Sequence, residues 1–174
     1  MSPSLAGIAP ELALAITIFA LVLADIIFRT HARRRGILST VAVLGLFAAA
    51  ICLGALPGGR QVIFHGMLAL DGYAIFFKGL FLIAAFLGLL FGAISDEIPR
   101  SRFGEYLILL LCITLGLNLL SAAQNLLMTY LSLELVSMPS YALTAFRRGD
   151  RQSSEAALKY VVFGAASSGL MLYG

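Results

Sequence analysis

Charge is scarce in this chain. Asp, Glu, Lys and Arg together make up 12% of the residues, while 60% are apolar. Soluble domains carry about 25% charged and about 45–50% apolar residues. A water-soluble core cannot absorb that imbalance, so the composition excludes an ordinary globule and points to the bilayer as solvent. The few basic residues form no patch interleaved with aromatics, which argues against a nucleic-acid partner. Cysteine is rarer still. Cys52 and Cys112 both fall in apolar runs, without CxxC or Cys/His spacing, so they read as small apolar side chains, and no metal site is expected. There is no Gly-rich dinucleotide loop on a βαβ unit. Met1 to Pro10 contains no Lys or Arg, and the apolar run that follows is too long for the h-region of a signal peptide, so it reads as a first membrane span. Low-complexity tracts, clear internal repeats and connections long enough to hold a soluble domain are all missing.

Long apolar runs are what the chain has in quantity. A helix needs roughly 20 apolar residues to cross the hydrocarbon core. Six segments qualify: Leu5 to Phe28, Ile37 to Leu56, Leu68 to Ile94, Glu105 to Leu120, Gln124 to Phe146, and a sixth from Ser154 that is still apolar at Gly174. The expected fold class is therefore all-α, a polytopic transmembrane helix bundle of about six spans. Residues 1–174 form one incomplete transmembrane domain, with spans one to four in 1–122. Pro3, Gly7 and Pro10 make an irregular start, and Pro57-Gly58-Gly59 and Gly149-Asp150 supply turn chemistry in the connections. The first, third and fifth connections hold Arg29, Arg33, Arg34, Arg35, Arg100, Arg102, Arg147, Arg148 and Arg151, whereas the second and fourth hold only Arg60. By the positive-inside rule the odd connections face the cytoplasm and the N-terminus faces outward.

Charges inside the spans are the candidate functional residues. Glu134 lies near the middle of the fifth span, too deep for its short side chain to reach water. A carboxylate there is costly unless paired, solvated or protonated, and intramembrane carboxylates mark proton relays and ion paths. Pro139 follows five residues later and deprives the Leu135 carbonyl of its helical partner, with Ser132, Ser137 and Ser140 close by as polar company. Lys159 lies in the first turns of the sixth span. Two readings stand for it: a relay group, or a side chain that snorkels to the cytoplasmic surface with Glu155 at i−4 as its ion-pair partner. Asp71 and Lys78, seven residues apart, share one face of the third span as secondary candidates, Asp71 near the outer end and Lys78 deeper, where it needs a partner or a water path. Asp25, near the cytoplasmic end of the first span and close to Arg29 at i+4, reads as structural, and Glu105 suits the start of the fourth helix. Gly88-x-x-x-Gly92, Gly164/Ser168 and Ala165/Gly169 have the small-xxx-small spacing of close helix packing.

The stretch from Tyr130 to Gly174 reads YLSLELVSMPSYALTAFRRGDRQSSEAALKYVVFGAASSGLMLYG. It resembles the core of the subunit N family of bacterial proton-pumping NADH–quinone oxidoreductase, respiratory complex I. The family's L-x-L-E-L pattern is matched by Leu131, Leu133, Glu134 and Leu135, and its S-x-E-A-x-x-K-Y pattern by Ser153, Glu155, Ala156, Lys159 and Tyr160. Asp71-Gly-Tyr-Ala-Ile-Phe-Phe-Lys78 also looks like this family's third span. The resemblance implies that the chain is the N-terminal portion of an antiporter-like fold of about fourteen spans, with the start of the proton-translocating core in 123–174. It implies a relay role for Glu134, paired in the family with a lysine of a broken seventh helix, and for Lys159. A nearby Lys⁺ keeps a carboxylate ionised, and withdrawing it favours proton uptake. It further implies that the chain itself binds no cofactor. NADH, FMN, iron–sulfur clusters and quinone belong to partner subunits, and the immediate partners are antiporter-like and small hydrophobic membrane-arm subunits in a bacterial inner membrane. A subunit of a multisubunit cation/proton antiporter is the alternative, and a structural membrane scaffold without an ion path is the second.

Overall fold

The computed structural model describes residues 7–29, 31, 33–56, 59–95, 98–147 and 149–174. Leu5 and Ala6 at the head of the first expected span, Pro3, the Pro57-Gly58 step and Arg148 lie outside the described residues. Among the described residues six helices are long and apolar enough to cross a membrane. They are α1 (Ala9–Ile27), α2 (Arg34–Gly54), α3 (Gly72–Ile94), α4 (Phe103–Ala122), α5 (Leu126–Thr144) and α6 (Arg151–Tyr173), with a 3₁₀ turn at Arg100–Arg102 leading into α4. The protein is a polytopic membrane helix bundle.

Local chemistry sets the helix starts. Pro10 stands in the first turn of α1, where its missing N–H costs nothing, and Glu11 follows in the same turn. Asp71, Asn125 and Asp150 cap α3, α5 and α6, their side chains accepting hydrogen bonds from the backbone N–H of Ala74, Met128 and Gln152.

The third span begins at Gly72, not at Leu68. Leu68–Leu70 is a strand, β2, paired antiparallel with β1 (Gln61–Ile63) in the register Gln61↔Leu70, Val62↔Ala69, Ile63↔Leu68. The reversal uses left-handed backbone at Phe64, His65 and Gly66, so two of its three such residues are not glycine, and turn signals in the sequence are silent there. The hairpin is tied to the α4–α5 connection through a bridge between Leu68 and Ala123 and through Gln124 N–H donating to the Met67 carbonyl at 2.9 Å. All three residues of β2 are buried, because the strand roofs one end of the bundle.

Two apolar clusters result. The larger runs down the bundle and joins Leu14 and Leu21 of α1, Leu38, Leu46 and Leu53 of α2, Leu82 and Leu89 of α3, and Phe103, Leu107 and Leu111 of α4. The smaller lies under the hairpin: Ile63, Leu68, Leu70, Ala74 and Ala122, with Ile8, Leu56, Leu119 and Met128 against it. The Gly88/Gly92 spacing serves close helix packing, and the helix it receives is α4. A Cβ on Gly88 would press on Leu110, and one on Gly92 would collide with the Tyr106 ring, whose hydroxyl donates to the Gly88 carbonyl at 2.8 Å. Gly164 likewise makes room for Tyr141 of α5, whereas Gly169 faces open space.

Arginines knit the opposite end together. Arg34 bonds Asp25 at 2.6 Å and the Ser101 carbonyl at 2.9 Å, joining the first and third connections. Asp25 thus pairs with Arg34 across a turn between helices, not with Arg29 along its own helix. Arg35 donates to the carbonyls of Gly92 and Ser95 at the C-terminus of α3 and stacks over the Phe103 ring. Arg102 reaches the Phe146 carbonyl just beyond α5. Cations placed at helix C-termini are favoured by the helix dipole, so these side chains serve the fold as well as the charge bias.

Candidate functional site

Glu134 is on the third turn of α5, with eight helical residues before it and ten after. That places it about 12 Å from one end of the helix and about 15 Å from the other at 1.5 Å per residue. It is half-buried. Among the described residues no hydrogen bond or ion pair reaches its carboxylate. The face it occupies follows from its neighbours. Gly116 of α4 lies against Leu135 and Val136 of α5, so Val136 and Ser132, one turn apart, face α4. Glu134 is about 200° around the helix from both, and Tyr141, seven residues on and therefore on its face, packs against Tyr160 and Gly164 of α6. The carboxylate accordingly stands on the α6 side of α5.

The polar company expected around Pro139 is arranged differently. α5 runs through Pro139 as one helix. The hydroxyls of Ser137 and Ser140 turn back onto the carbonyls of Leu133 and Val136, at 2.8 and 2.7 Å, instead of facing Glu134. Such i−4 bonds are the usual way for a serine to satisfy itself in an apolar surrounding. Ser132 is buried, with no protein partner for its hydroxyl among the described residues.

Lys159 extends to Glu155, Nζ to Oε1 2.7 Å, with both side chains well exposed on the outer surface of α6. It does not meet Glu134. Tyr160 packs on Tyr141, so Lys159 is level with that part of α5, about seven residues or 10 Å along the axis from Glu134.

Asp71 and Lys78 part company. Asp71 Oδ1 accepts from the Ala74 N–H at 2.8 Å as the cap of α3. Asp71→Ala should lower stability by about 1 kcal/mol through loss of this cap, while Asp71→Asn, an equally good cap, should cost little. Thermal unfolding of the detergent-solubilised protein reads the difference. Lys78 is 1% exposed and its Nζ lies 2.7 Å from Oε1 of Glu11 on α1, a carboxylate equally removed from solvent. The contact is not aligned as a directed hydrogen bond, so charge attraction holds the pair. Glu11 was not singled out from sequence, because a carboxylate two residues inside a helix start looks like a terminal one. The signal available was Lys78 itself, a deep cation that had to have a partner. Glu105 stands in the first turn of α4, as expected. Among the described residues no group of three His, Cys, Asp or Glu could hold a metal ion.

A bundle of apolar helices with an intramembrane carboxylate and a buried ion pair defines a class, the polytopic membrane proteins that carry charge inside the bilayer. Comparison with known proteins narrows it. Residues 123–174 match the family described as NADH:quinone oxidoreductase/Mrp antiporter, TM. The chain is 46% identical over 165 residues to NADH-quinone oxidoreductase subunit N of Anaeromyxobacter sp., which covers 95% of this chain and 32% of that protein. It is 41% identical to NADH-quinone oxidoreductase subunit N 2 of Chloroherpeton thalassium, over 90% of this chain and 31% of the relative. Among solved structures it is similar to a chain of respiratory complex I from Thermus thermophilus with bound aureothin, at 32% identity and a TM-score of 0.74, covering 94% of this chain and 35% of that one. The chain thus spans about a third of the length of the subunit N proteins it resembles, and the likeness runs through nearly all of its own length.

Proposed function

We propose that this chain is part of a membrane-arm subunit of an NADH–quinone oxidoreductase, coupling NADH-to-quinone electron transfer to proton translocation, and that Glu134 is its intramembrane proton-relay carboxylate. The observation that carries the reading is Glu134 itself: mid-helix, half-buried, free of any protein partner among the described residues, and inside the segment that matches the antiporter family. An intramembrane carboxylate is a functional-site candidate by default, which weighs against the scaffold alternative. Lys159 is the second relay group. Its partner Glu155 is one turn away on the same exposed face, so the lysine can exchange that carboxylate for another group without opening a packed core. Residues 123–174 form the start of the translocating core, and 1–122 the supporting spans. NADH, FMN, iron–sulfur clusters and quinone reside in partner subunits. The neighbours are other antiporter-like and small hydrophobic membrane-arm subunits.

The same family description covers cation/proton antiporters, and a subunit of such a multisubunit antiporter is the second reading. Co-purification separates the two. A tagged full-length subunit should bring down flavin- and iron–sulfur-bearing subunits, and a stable complex devoid of both would favour the antiporter.

The protein lies in a bacterial inner membrane with its N-terminus on the periplasmic side, supported by the arginines gathered at one end of the bundle. A reporter fused at Gly149, between α5 and α6, should behave as cytoplasmic. A periplasmic readout there would invert the topology.

A further inference from the structure

The buried faces of three helices change character at the same level. On α1 the buried stripe runs from Leu21 through Thr17, whose hydroxyl donates to the Ala13 carbonyl of its own helix, and Leu14 to Glu11. On α3 it runs from Leu89 through Ala85 and Leu82 to Lys78 and then Ala74. On α4 it runs from Phe103 through Leu107, Leu111 and Thr114 to Asn118 and then Ala122. The leucines and Phe103 belong to the large cluster, whereas Ala74 and Ala122, with Ile8 packed on them, belong to the cluster under the hairpin. Glu11, Lys78 and Asn118 therefore each sit one helical turn inward of the hairpin cluster, at the i+3 or i+4 spacing that stacks side chains on one face. Together they make a polar layer between two apolar ones.

The layer is closed to bulk solvent: Glu11, Lys78 and Asn118 are 5%, 1% and 0% exposed. Its polar capacity is only partly met by protein. Lys78 and Glu11 attract each other at 2.7 Å. Neither carboxylate oxygen of Glu11, and neither Oδ1 nor Nδ2 of Asn118, has a directed hydrogen bond from a protein group among the described residues. An amide can take part in four hydrogen bonds, and native proteins satisfy such buried groups with protein or with ordered water.

We propose that Glu11, Lys78 and Asn118 enclose an internal water site in the hairpin-covered end of the bundle, in which ordered water bridges the Asn118 amide to the Glu11–Lys78 pair. Buried water typically makes about three hydrogen bonds to otherwise unsatisfied polar groups, and this layer offers both donors and acceptors. The Lys78 ammonium already occupies the cation position beside Glu11, so a metal ion is not the occupant. The site is separate from Glu134. Gly116 faces α5, and Asn118, about 200° further round α4, faces away from it, toward α1 and α3. The proposal stands whether or not Glu134 relays protons.

A cryo-electron microscopy map of the full-length subunit in its assembled complex, sharp enough to show ordered water, tests it. The expected result is a density peak about 3 Å from both the Asn118 amide and a Glu11 oxygen, lost in Asn118→Leu. An Asn118 amide bonded directly to Glu11, Lys78 or a backbone carbonyl, with no peak, would overturn it. So would a peak at the shorter distances of a metal ion. The wild-type map decides by itself, so a failure of Asn118→Leu to assemble leaves the test intact.

Discussion

Lys78→Met in the full-length subunit should lower its stability by about 3–5 kcal/mol, the typical cost of stranding one charge of a buried pair. Glu11 and Lys78 are both removed from solvent, and they come from helices that are neighbours only in the folded bundle. Removing the ammonium leaves the buried carboxylate without its counter-charge, and Glu11→Gln should do comparable damage in the opposite sense. The double variant Glu11→Gln, Lys78→Met strands no charge and should recover most of the loss, because exchanging a buried ion pair for neutral groups of similar volume is often nearly neutral. The measurement is a double-mutant cycle on thermal unfolding in detergent, alongside the amount of assembled subunit in the membrane. A Lys78→Met protein as stable as wild type would mean that the pair carries no structural weight.

Glu134→Gln should behave in the opposite way, sparing the fold and removing function. Glu134 is half-buried and, among the described residues, bonded to nothing, so the isosteric amide disturbs no contact among them and assembly should be normal. The amide cannot take up and release a proton at this depth. In proteoliposomes holding the complete complex, the number of protons moved per NADH should fall while the enzyme still assembles. Unchanged proton stoichiometry would sink the relay role. Lys78→Met with intact assembly lost and Glu134→Gln with intact assembly kept is the pattern that separates a structural intramembrane charge from a working one.

Much of this was legible in the sequence. The bilayer followed from the ratio of apolar to charged residues, and the helices were placed within a few residues, because hydropathy over about 20 positions is a local quantity and each span satisfies its own backbone. Glu134 could be picked out because its cost depends only on its depth, which the chain itself measures. The hairpin was not legible. Its strands are three residues each, β2 is as apolar as the span it precedes, and its reversal uses Phe64 and His65 in backbone that glycine usually supplies.

What the sequence determined by itself was therefore the solvent, the number of spans, the end at which arginine collects and the depth of Glu134 and Lys78 along their helices. What only the tertiary structure decided was which charges meet. Asp71 shares a face with Lys78 by spacing alone and instead caps the helix start, Asp25 passes over Arg29 for Arg34, and Lys78 finds Glu11 across the bundle. Depth is fixed by counting residues along a single helix. Pairing is fixed by which helices pack and how they are rotated, and that rotation is set by the whole apolar core at once.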